Sequence, residues 1–62
     1  MTWNAWKFAL ARALAHAFDV STDQSQQWVE DGEDSYREMF DDGLSPDDAC
    51  AEECDAAAWM AS

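Results

Sequence analysis

SYREMFDDGLSPDDACAEECD, residues 35–55, decides the fold. Read in order it is a helix, a tight turn and a second helix. Ser35 followed by Glu38 has the form S-x-x-E of a capping box, in which the two side chains take up free backbone N–H groups, so a helix is expected to start at Ser35. Gly43 suits the left-handed position just past a helix end, because it has no Cβ to clash. Ser45-Pro46-Asp47-Asp48 opens the next helix. The serine caps, the proline at the first helical position loses no needed N–H, and the aspartates meet the positive end of the helix dipole. Leu44, just before the cap, is placed to staple onto Ala49.

The chain before this unit carries two further helical stretches. Thr2 caps a helix expected to run to about Phe18. Trp3, Trp6, Leu10, Leu14 and Ala17 follow helical steps and form one apolar stripe, which Phe18 widens. Arg12 and His16 fall on the far side. Phe8 lies off the stripe, near Ala11 and Ala15, and belongs either to a wide buried face or to a face turned towards a second neighbour such as a partner chain. Ser21 with Gln24, or Asp23 with Gln26, then caps a helix to about Asp31. Its inward face is Ser25, Trp28, Val29 and Gly32. Beyond it two arrangements fit the spacing. The helix ends at Gly32 and a new one opens at Ser35, or one kinked helix continues to Asp42. The cost of glycine inside a helix, about 1 kcal/mol, favours the break.

On the Ser35 helix, Tyr36, Met39 and Phe40 share one side. The last helix, from Pro46 to about Met60, sets Ala49, Cys50, Cys54, Ala57 and Met60 on a small-residue face that allows close helix approach. Asp48, Glu52 and Asp55 lie opposite, with Trp59 beside them. Glu53 falls inside the apolar stripe, where it either pairs with a base such as Arg37 or marks an edge of the stripe. The expected fold is an all-α bundle of three to four helices, with residues 1–62 as one domain.

Charge is the strongest compositional signal. Fourteen acids against three bases give a net −11. Residues 1–18 carry Lys7 and Arg12 and no acid, so all fourteen acids and only Arg37 fall in residues 19–62. Such a chain repels nucleic acid and anionic lipid and attracts basic surfaces. Four tryptophans and three phenylalanines supply the apolar mass that separates it from a disordered acidic tail. No apolar run approaches the roughly 18 residues of a membrane span. Lys7, Arg12 and His16 interrupt what would be the apolar core of a signal peptide, so a cytoplasmic location is expected.

The parts for catalysis are few. There is one histidine, no nucleophile beside a base and no glycine-rich phosphate loop, so enzymatic activity is not expected. Cys50 and Cys54 stand one helical turn apart. With His16 or Glu53 they would make an incomplete zinc set, and buried packing is the commoner use of such cysteines. No cofactor or metal is expected.

Binding remains. Side chains three or four apart on a helix stand roughly 5–6 Å from one another. Asp48, Glu52 and Asp55 make one acidic row; Glu38, Asp41 and Asp42 make a second across the turn; Glu30, Asp31, Glu33 and Asp34 cluster at Gly32. These ten acids, with Trp59 as an aromatic anchor, are the candidate partner-binding residues. In size, charge and acid rows the chain resembles the small acidic inhibitors of phages and mobile elements, the anti-CRISPR and anti-restriction proteins, several of which are thought to mimic DNA. That resemblance implies a basic groove on a host protein or CRISPR surveillance complex as partner, and steric blocking of DNA or RNA binding inside the host cell. Direct nucleic-acid and membrane binding are not expected, and the inhibitor would be a monomer or small homo-oligomer. Two other functions fit the sequence: an adaptor docking a protein through Phe8 and Trp59, and a structural domain whose charge serves solubility.

Overall fold

A computed structural model describes the backbone of residues 1–61 and the side chains of residues 1–56. Four helices follow one another: α1 Trp3–Phe18, α2 Thr22–Asp31, α3 Glu33–Asp41 and α4 Pro46–Ala61. No strand occurs among the described residues, and the fold is all-α. α1 is the central element, packing chiefly against α2 and α4 and more lightly against α3.

Three of the four starts are set by local hydrogen bonds. The Thr2 hydroxyl accepts from the Ala5 N–H at 3.2 Å, that of Ser21 from Gln24 at 3.1 Å, and that of Ser45 from Asp48 at 3.1 Å. Each satisfies a backbone donor that would otherwise lack an intrahelical partner. α3 ends as the glycine implies. Gly43 has φ of 88°, its N–H donates to the Phe40 carbonyl at 3.1 Å, and the Leu44 N–H donates to that of Met39 at 3.0 Å, a Schellman turn.

The fourth start differs from the expectation. α3 begins at Glu33 with Gly32 as its cap, and Ser35 is an exposed residue inside the helix. The break falls at Gly32 but is only one residue long. The Gly32 N–H still donates to the Trp28 carbonyl, and its own carbonyl still accepts from the Tyr36 N–H, both at 3.1 Å. The site needs glycine for space rather than for φ, which is −104°. A Cβ at Gly32 would stand 3.0 Å from Cε2 of Tyr36, so the ring lies directly on the backbone. Glu33 and Asp34 then supply negative charge to the first turn, and the S-x-x-E motif is left unused as a cap.

Trp6, Leu10, Ala11 and Leu14 of α1 are buried together with Val29, Tyr36, Ala49 and Cys50. Leu10 and Leu14 have no exposed surface, and burial of such a side chain contributes about 1.5–3 kcal/mol. Buried Ser25 keeps its hydroxyl satisfied by donating to the Thr22 carbonyl at 2.9 Å. Ala17, expected in the stripe, is exposed. The contact line moves to Phe18 instead, whose ring meets Trp28 edge-on at 5.0 Å. The radius of gyration, 10.9 Å, is close to the roughly 10.6 Å of a compact chain of this length.

Candidate acidic interaction faces

The acids of α3 and α4 are placed by the same periodicity that buries the opposite sides of these helices. On α4, burial of Ala49 and Cys50 turns Asp48, Glu52 and Asp55 to solvent, and all three are exposed. On α3, burial of Tyr36 and partial burial of Met39 and Phe40 exposes Asp34, Glu38, Asp41 and Asp42. Because α3 starts at Glu33, Asp34 belongs to the same helix as Glu38 and Asp41. The three share one face at i, i+4 and i+7. The cluster at Gly32 is thereby divided. Asp34 joins the α3 row, Glu33 reaches Lys7 at 3.9 Å, and Asp31 accepts from Gln27 Nε2 at 3.3 Å. Glu30 lies apart, on the rim of a groove between α1 and α2. Trp59 lies outside the described side chains, as do Ala57 and Met60.

Three carboxylates at i, i+4 and i+7 span about 10 Å of helix axis. That is roughly one charge per 5 Å, nearer the 3.4 Å per charge of one nucleic-acid strand than the 1.7 Å of a duplex.

Two of the bases are held inside a cluster that sequence periodicity did not reveal. Trp3 stacks on Trp6 at 5.7 Å and meets Phe40 at 5.4 Å. The Lys7 ammonium stands 5.2 Å from the Trp3 ring centre and the Arg37 guanidinium 5.1 Å from it. Arg37 also lies 5.5 Å from the Phe40 ring and 3.4 Å from Asp41. Each cation therefore combines an aromatic face with a carboxylate. Lys7 four residues after Trp3 was the available signal; the approach of Arg37 depends on how α3 crosses α1.

Arg37 is thus not the partner of Glu53. That half-buried carboxylate lies beside the Tyr36 phenol, which is pushed well above its ordinary value by burial first and then by the Glu53 charge. Cys50 and Cys54 are free thiols, and burial followed by the neighbouring Cys54 raises the Cys50 thiol. Among the described residues no three or more His, Cys, Asp or Glu side chains are grouped to hold a metal ion. No helix there is long and apolar enough to cross a membrane.

No family model matches the chain, and neither a curated protein nor a solved structure matches it.

Proposed function

We propose that this protein is an inhibitor that enters a Lys/Arg-lined, nucleic-acid-binding groove of a host defence complex, in the manner of anti-CRISPR proteins. It would exclude DNA or RNA by presenting the acidic faces of α3 and α4. The observation that carries this reading is the pair of exposed rows, Asp34–Glu38–Asp41 and Asp48–Glu52–Asp55, on helices joined by a rigidly capped turn. Placement of the bases supports it. Lys7 and Arg37 are drawn onto Trp3 and paired with Glu33 and Asp41, so neither stands as a free cation beside the acids of α3 and α4. The charge spacing favours a site that holds a single strand or one strand of a duplex. Encounter would be steered electrostatically and weakened by salt.

Exposed Phe8 favours a second reading, an adaptor that docks a protein through an apolar anchor. One experiment separates the two. The protein is used to capture a complex from a host lysate at two salt concentrations, and displacement of labelled nucleic acid from that complex is then measured. The triple variant Asp48→Asn, Glu52→Gln, Asp55→Asn is expected to lose displacement while its circular dichroism stays helical. Capture that survives high salt and this variant, displaces no nucleic acid and is lost in Phe8→Ala would replace inhibition by the adaptor reading.

A further inference from the structure

The outer side of α1 carries none of the acids of the proposed rows. Phe8 is 52% exposed and stands at the edge of a groove of about 230 Å³ between α1 and α2. Ala11 and Val29 give the groove an apolar floor, and Gln26 and Glu30 lie on its α2 side. A single exposed phenylalanine is ordinary on a protein surface. Here the exposed phenylalanine adjoins an open groove with an apolar floor and polar walls that include Asn4, Lys7, Gln26 and Glu30, so one face carries both a projection and a recess.

We infer that this face is an interface between two copies of the chain, with each Phe8 seated in the groove of the other. Charge selects the second copy over other occupants. Residues 1–18 contain no acid, whereas every acid lies in residues 19–62. Contact through the outer faces of α2, α3 or α4 would press carboxylates of two strongly negative chains together. Contact through α1 brings one carboxylate per copy, Glu30 on the groove rim. The face is complementary to itself as well. Arg12 is exposed one turn beyond Phe8, and antiparallel α1 helices crossing at Phe8 bring it towards the half of the partner's α1 that Glu30 flanks. The ammonium of Lys7, also on the groove, is occupied by Glu33 and Trp3.

Such contacts are isologous and close as a two-fold dimer, leaving the acid rows of α3 and α4 outward on both copies. α1 is about 24 Å long, so the buried area falls at the low end of specific interfaces and the dimer is weak, with a dissociation constant on the order of 0.1 mM. Because both copies are negative overall, it tightens as salt rises, the opposite of the response expected for capture of a basic partner.

Sedimentation equilibrium of the whole chain, from micromolar to millimolar at low and high salt, tests this. The wild type is expected to move from monomer to dimer mass, at lower concentration in high salt. Phe8→Glu is expected to remain monomeric throughout with unchanged helical circular dichroism, and Arg12→Glu to weaken the dimer about tenfold or more. A wild type that stays monomeric at millimolar concentration in high salt overturns the inference. So does a dimer that both variants leave intact. Neither result bears on the acidic rows, so this interface and the inhibitory reading can fail separately.

Discussion

The indole Nε1–H of Trp6 donates to the carbonyl of Leu44 at 2.9 Å, across 38 positions of chain. This bond ties the first turns of α1 to the turn between α3 and α4. The Trp6 ring meanwhile lies 2% exposed against Trp3 and Phe40. One side chain therefore fixes where the two acidic helices sit relative to the central helix. Trp6→Phe keeps an aromatic ring but leaves the carbonyl without this donor and opens space in the core. The two effects together should cost about 2–3 kcal/mol. For a chain of this size that is a large share of a total stability of roughly 3–9 kcal/mol. A urea titration should show the midpoint fall accordingly, and an unchanged midpoint would remove this bond from the account of the fold.

Within the turn that separates the acidic helices, the role of Gly43 is conformational. Gly43 has φ of 88°, and a Cβ there would meet nothing within 4 Å. Gly43→Ala should therefore cost about 1 kcal/mol through its left-handed backbone and nothing through a clash. Gly43→Asn should cost visibly less, since asparagine tolerates that conformation. Thermal melts of the two variants compare them directly. Equal losses would mean that the turn is held by something other than φ.

These two positions also mark how far the sequence could be read. Gly43, Thr2, Ser21 and Ser45 act through hydrogen bonds that close within a few residues, so their roles follow from local spacing. Ser35 offers the same local signal and does not cap. The start of α3 is set instead by the Tyr36 ring lying on Gly32, a contact whose strength comes from the packed core. Ala17 is likewise displaced from the core because the Phe18–Trp28 contact rotates the line along which α1 meets α2. The exposed acid rows were legible, since period alone turns them away from buried residues. The holding of Lys7 and Arg37 on Trp3 was not, because a cation–aromatic contact between helices depends on their crossing.

Tyr36 should make the fold sensitive to alkali. Its phenol is raised in the folded chain by burial and by Glu53, whereas in the unfolded chain it titrates near pH 10, about the free value. The stabilisation is therefore complete below about pH 10. It falls as pH rises further, by up to about 1.4 kcal/mol per pH unit, because the unfolded chain gives up the proton more readily. The chain has one tyrosine, so phenolate absorbance reports it without ambiguity. The folded protein should show no phenolate until it unfolds, and Tyr36→Phe should flatten the fall in melting temperature above pH 10. Reversible phenolate formation near pH 10 in a still helical protein would contradict the buried placement.

Salt should stabilise the free protein. Asp34–Glu38, Glu38–Asp41, Asp48–Glu52 and Glu52–Asp55 are like-charged neighbours at helical spacing, each destabilising by about 0.2–0.5 kcal/mol. Opposing them, Lys7–Glu33 and Arg37–Asp41 are partly exposed pairs that each contribute about 0–1 kcal/mol, with Arg37–Asp41 in the less favourable order along the helix. The remaining acids add to the repulsion and no further ion pair offsets it among the described residues. Screening therefore removes more repulsion than attraction. Raising sodium chloride from about 0.01 M to about 0.15 M should lift the melting temperature by several degrees, roughly 1 kcal/mol. Chloride is the salt of choice, since sulfate would strengthen apolar burial as well. The variant Asp48→Asn, Glu52→Gln, Asp55→Asn should melt higher at low salt and respond less to its addition. A melting temperature that falls with salt would mean that ion pairs dominate, and the rows would then be stabilising networks rather than strained charge held ready for a basic partner.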